Sequence, residues 1–140
     1  MLYCYDGSDA CRQALRTAYE TLGDRPSIVI TGWPSIWAAP EDITFSLAPQ
    51  DVIDQALKAE HDQAAELARE GAELVPGAEP VALQSDTSVW RSILQYADEQ
   101  DAAVIVCGSH GRGAIASLVL GSVSHGLVGH SHRPVLVVRQ

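Results

Sequence analysis

The residues with the clearest chemical potential lie between Gly108 and Ser124. Gly108-Ser109-His110-Gly111-Arg112-Gly113 follows an apolar run, and Gly121-Ser122-Val123-Ser124 opens a segment with helical spacing. Glycines at such places permit positive φ and close backbone approach, so that N–H groups can point at an anion with no Cβ in the way. Ser122 and Ser124 add hydroxyl donors, and a helix start adds a partial positive charge. Arg112 either adds a full charge or projects into solvent. This donor set suits a phosphate; on composition alone, a glycine-rich connection without a ligand is the other reading. It is not a Walker A loop, since no Gly-Lys-Ser/Thr follows and the one lysine, Lys58, lies elsewhere. Nor is it a GxGxxG after the first strand, which disfavours a dehydrogenase-type dinucleotide fold.

Other reactive residues carry less. His125, His130 and His132 have no carboxylate partner anywhere after Ala102, so their spacing is a weak metal signature. His110 can bond a phosphate or face solvent. Cys107 ends an apolar run and reads as core rather than as a redox thiol. Trp33 and Trp37 pack on the domain edge or cover a ligand, and Trp90 reads as helix-face packing. No nucleophile elbow, no carboxylate pair near the loop and no lysine near it offers a ready catalytic set.

The elements that must position this stretch follow from periodicity. Strand-like runs occur at Leu2–Tyr5, Ser27–Thr31, Pro80–Leu83, Ala103–Cys107 and Val135–Val138. Helical spacing fills Ala10–Leu22, with Ser8 or Asp9 as N-cap, then Asp51–Leu74, Val89–Glu99 and a short Ser122–Val128. Ala103–Cys107 and Val135–Val138 are continuously apolar, as in strands covered on both faces. The order βαβαβαβαβ predicts a single α/β domain over 1–140, doubly wound, with a five-stranded parallel sheet and helices on both faces. Gly32–Pro49, with Pro34, Pro40 and Pro49, reads as a long surface loop. Tyr3 and Tyr5 are bulky for a central strand, and each hydroxyl needs a partner. Tyr5, beside Asp6, narrows a pocket there or stacks near its occupant. Gly126 and Gly129 should each weaken the last helix by roughly 1 kcal/mol relative to Ala.

The chain has 140 residues, 46% of them hydrophobic, enough for one core. Eighteen acids against nine Lys and Arg give a formal charge of −9, the wrong sign for a protein gripping nucleic acid. The charge is uneven: 41–101 holds fourteen acids against Lys58, Arg69 and Arg91, while 102–140 holds no acid and Arg112, Arg133 and Arg139. The acid-free third leaves the glycine-rich stretch free of repulsion toward a small anion. Cys4, Cys11 and Cys107 form no CxxC, and their odd number argues against a disulfide framework, so a reduced cytoplasm is expected. No apolar run is long enough to span a membrane, and no signal-like start is present.

Gly108-x2-Gly111-x9-Gly121-Ser122 matches in full the G-2x-G-9x-G-S/T pattern of the universal stress protein family, in its ATP-binding branch. Asp6-Gly7-Ser8 after the first strand and Arg133-Pro134-Val135-Leu136-Val137-Val138 at the end are also similar to that family, so the resemblance spans the chain. It implies strand order 3-2-1-4-5 and an ATP site, with Mg²⁺ on phosphate oxygens and waters, helped by Asp6 or a serine hydroxyl. It places Asp6, with Gly7 and Ser8, at the nucleoside, and Thr31, Gly32 and Trp33 near adenine. Gly108, Gly111, Arg112, Gly121, Ser122, Val123 and Ser124 fall at the triphosphate. It further implies a homodimer through Val135–Val138 and a nucleotide-dependent role in stress response. The alternatives are a weak ATPase or autophosphorylating enzyme using the same pocket, and a dimer module of this fold without nucleotide.

Overall fold

A computed structural model describes residues 1–35, 49–111 and 120–139. Its elements are β1 (Leu2–Cys4), α1 (Asp9–Leu22), β2 (Ile28–Pro34), α2 (Gln50–Glu73), β3 (Glu79–Ser85), α3 (Val89–Glu99), β4 (Ile105–Gly108), α4 (Ser122–His130) and β5 (Val135–Val138). The strands form one sheet in the order β3-β2-β1-β4-β5, and every pairing is parallel. This is the doubly wound order expected, with the switch in winding direction at β1 and β4, where the crevice for a ligand opens.

Strand alternation divides the core in two. Leu2, Cys4, Ile30, Ile105 and Cys107 face α3 and α4, joined by Ile93, Ala97 and Leu127. Tyr3, Val29 and Val106 face the other way, toward α1 and the end of α2, with Cys11, Leu15, Ala18 and Val75. The helices follow from sequence: Cys11, Ala14, Leu15 and Ala18 make the buried stripe of α1, and Ser8 caps it by accepting from Cys11 N–H. Gly23 ends it at φ 75°, its N–H reaching Tyr19 O.

Several boundaries depart from the sequence reading, those of β2, β4 and α2 among them. β2 continues through Gly32, Trp33 and Pro34, which pair with Leu83, Gln84 and Ser85; Pro34 is tolerated as the last residue of the strand. β4 begins at Ile105, and Ala103 is exposed outside it. α2 begins at Gln50, with Pro49 before it accepting from Val52 and Ile53 N–H. Of the loop residues singled out above, Trp37 and Pro40 lie outside the described residues, as do Arg112 and Gly113.

Candidate functional site

β1 and β4 end side by side, and the chain leaves each toward a different helix. After Tyr5, the backbone turns at Gly7 (φ 82°), where a left-handed conformation favours glycine. Asp6 stands on this turn. Its Oδ1 accepts from Ser8 N–H at 3.0 Å and from Ser8 Oγ at 2.7 Å, and its Oδ2 lies so near Gly111 that a Cβ there would come within 2.5 Å of it. Ser8 thus caps α1 and orients the carboxylate.

On the β4 side, Ser124 Oγ donates to Gly108 O at 2.7 Å, pinning the start of α4 to the strand end. Gly121 N–H donates to Ser109 O at 2.9 Å, and His125 N–H to Gly121 O at 2.8 Å. Gly121 is the extended N-cap of α4 and no side chain caps that helix, so its first N–H groups remain directed at the crevice. Ser122 is exposed there, while Ser124 is buried. The hydroxyl-donor reading therefore rests on Ser122; the proton of Ser124 is committed to Gly108 O. The glycine reading is also corrected. Among the described glycines, positive φ occurs at Gly7, Gly23 and Gly77, not at Gly108, Gly111 or Gly121; the last three serve by lacking a Cβ.

One cavity joins these parts. Asp6, Gly32, Gly108, Gly111, Gly121, Ser122, Val123 and Ser124 all line it. Cys4, Tyr5, Cys11, Ile30, Val89, Ile93, Cys107 and His110 complete the lining. Cys107 reads as core in the sequence, and alternation places it with Cys4 and Ile30 on the face where Gly32 opens space against Val89. The cavity thus has an apolar side under α3 and a polar rim at the β4–α4 turn. Thr31 and Trp33 are not on it: they point to the α2 face and line a second recess with Glu60, Gln63, Ala64 and Leu67, sharing Asp6 and Gly32 with the first. Gly7 lines neither. His110 sits half-buried on the rim with Nδ1 2.9 Å from Ser109 Oγ.

Burial governs the thiols. Cys11 Sγ donates to Cys4 O at 3.1 Å, and burial first, then the Asp6 charge, pushes its pKa up to about 12. Burial raises Cys107 to about 11 and Cys4 well above the ordinary range, with Cys107 and Cys11 as further causes for Cys4. These thiols are neutral in the folded state, whereas in the unfolded chain they ionise near the ordinary thiol value of 9.0. The stability they confer is complete below pH 9 and is lost as pH rises through 11 to 12. The urea midpoint should fall steeply above pH 9, and Cys107→Ala should flatten that fall; an unchanged slope would remove Cys107 from the account.

No helix among the described residues is long and apolar enough to cross a membrane. Among them, no group of three or more His, Cys, Asp or Glu could hold a metal ion. His130 instead stacks on Trp90, ring centroids 4.4 Å apart, with Arg91 over the same indole at 5.0 Å.

Comparison with known proteins agrees with this fold. The family model described as "Universal stress protein family" matches residues 1–139. The chain is 30% identical to universal stress protein YxiE of Bacillus subtilis over 145 residues, covering 99% of this chain and 97% of the relative. It is 33% identical to a universal stress protein of Thermus aquaticus over 144 residues, with the same coverage of both. Among solved structures, universal stress protein UspA from Lactobacillus plantarum superposes with a TM-score of 0.74 at 20% identity, covering 99% of this chain and 95% of that one. An Arabidopsis thaliana universal stress protein with AMP bound gives 0.60 at 20% identity, covering 99% and 90%. The Archaeoglobus fulgidus protein in complex with dAMP gives 0.57 at 23%, covering 97% and 94%. With the family pattern, the sheet order and the full-length matches in agreement, the chain belongs to the universal stress protein family.

Proposed function

We propose that the cavity between Asp6 and the start of α4 binds an adenine nucleotide, with ATP and Mg²⁺ as the working ligand. The observation that carries this reading is the juxtaposition of one carboxylate with an uncapped helix start and three glycines around a half-apolar cavity. The apolar side suits a planar base. Asp6 accepts from ribose hydroxyls, and the N–H groups of the β4–α4 turn, with Ser122, face the phosphates. The described lining holds no Lys or Arg; backbone dipoles and a divalent cation offset the phosphate charge there, and the family resemblance adds Arg112. A cation would be carried on phosphate oxygens, with Asp6 or Ser122 as protein oxygen donors. The relatives with AMP and dAMP bound support the ligand class. The protein then serves as a nucleotide-gated binding module in stress response. Its cytoplasmic setting is supported by three buried free thiols.

Denaturing the purified protein and chromatographing the supernatant should release adenine nucleotide, or titration with ATP and Mg²⁺ should show saturable binding. The absence of both co-purified nucleotide and saturable binding would overturn the reading. We further propose a homodimer through β5. Val135, Leu136, Val137 and Val138 are all half-buried on a strand at the sheet edge, an arrangement that native proteins cover. Sedimentation equilibrium should give twice the chain mass, and Leu136→Asp should give the monomer; a wild-type monomer up to about 100 μM, where a standard-size interface would be occupied, counts against it.

A further inference from the structure

The turn that carries Asp6 is braced from outside the site. Tyr5, immediately before the turn, donates its hydroxyl to Glu70 Oε1 at 2.6 Å. Arg12, one helical turn after it, donates from Nε to the same oxygen at 2.8 Å and lies 2.5 Å from it through Nη2. Asp9 holds the guanidinium from the other side, at 2.8 Å. A single carboxylate on α2 therefore grips both legs of the β1–α1 turn. Room for this is made by Gly71, where a Cβ would come within 2.7 Å of both the Tyr5 ring and Val29. Tyr5 is 3% exposed and lines the cavity, so its hydroxyl has exchanged water for Glu70. Charge-assisted bonds of this kind are roughly twice as strong as neutral ones.

From this geometry we infer that Glu70 is a positioning residue for Asp6. By tying Tyr5 to Arg12 it fixes the turn in which Ser8 holds Oδ1 and Oδ2 faces Gly111, and so sets how far the site favours a ribose over a 2′-deoxyribose. The inference rests on the nucleotide reading for its ligand, but the brace is testable without one. Asp6 placement is reported by the Ser8 amide, which donates to Oδ1.

Hydrogen exchange of the ligand-free protein should show the Ser8 amide faster by roughly tenfold in Glu70→Ala and in Tyr5→Phe, as for one lost charge-assisted bond. The Val106 amide in β4 should keep its rate, since a general loss of stability would speed both alike. Glu70→Gln, which retains an oxygen for both donors, should restore much of the protection. In parallel, the preference for AMP over 2′-deoxy-AMP should fall toward unity in Glu70→Ala. Ser8 exchange unchanged in Tyr5→Phe overturns the brace, and that variant keeps the ring in place should Glu70→Ala not fold. Failure of wild type to bind AMP or ATP sinks the nucleotide reading, and the exchange rates still decide the brace. Binding with an unchanged AMP to 2′-deoxy-AMP ratio in the variants overturns the selectivity.

Discussion

Gly126→Ala should destabilise the protein by about 2 kcal/mol, the usual range for forcing atoms into a packed site, whereas Gly129→Ala should stabilise it by up to about 1 kcal/mol. Both glycines lie within α4, Gly129 in its last turn, and propensity alone predicts a gain at each. The surroundings separate them. A Cβ at Gly126 would overlap the Trp90 indole, while at Gly129 nothing lies within 4 Å. Gly126 is therefore the socket through which α3 packs on α4. Forcing Trp90 out also breaks its stack on His130, an added loss of about 0.5–1.5 kcal/mol for an aromatic pair. Urea unfolding of the two variants against wild type, followed by tryptophan fluorescence, is the measurement. Equal shifts of the same sign would show that Trp90 does not fill this space.

That contrast shows where sequence reading stops. Periodicity suffices for α1, because Cys11, Ala14, Leu15 and Ala18 form one stripe against the sheet. It suffices for the sheet order only together with the family pattern, since alternation of strands and helices leaves the order open. It misplaces the end of β2, because Gly32-Trp33-Pro34 has poor strand composition and is held in the ladder by its three register pairs with β3, to Leu83, Gln84 and Ser85. At the site, the motif glycines, Asp6 and Ser122 are legible from type and spacing. Glu70 is not: it looks like one more acid on the exposed face of a long helix, and its partners Tyr5 and Arg12 lie 65 and 58 residues away. The need for a Tyr5 partner was visible in the sequence, but only the fold supplies its identity. Tyr3 finds none as good: it is enclosed beside Ser27, whose own hydroxyl donates to Arg25 O, and its hydroxyl lacks a hydrogen-bond partner among the described residues.

Within the glycine motif itself, Gly111 and Gly121 should not respond alike. Gly111→Ala should lower nucleotide affinity by roughly tenfold or more, a cost of about 1.4 kcal/mol or above, whereas Gly121→Ala should leave the free protein's stability within about 0.5 kcal/mol. A Cβ at Gly111 meets Asp6 Oδ2 at 2.5 Å. The Asp6 side chain cannot simply swing away, because Oδ1 is held twice by Ser8; either the carboxylate leaves its position or the turn at Gly111 recedes from the cavity. Both outcomes separate the acceptor for a ribose from the donors for a phosphate. At Gly121 the nearest atoms would lie 3.6 to 3.8 Å from an added Cβ, ordinary contact distances, and its φ is not in the left-handed region. Any loss of affinity in Gly121→Ala thus reports a ligand that packs against that backbone. Titrating AMP and ATP into both variants, alongside urea unfolding, distinguishes the cases. If Gly111→Ala binds as wild type does, Asp6 and the glycine turn are not parts of one site, because their separation is what that methyl group must change.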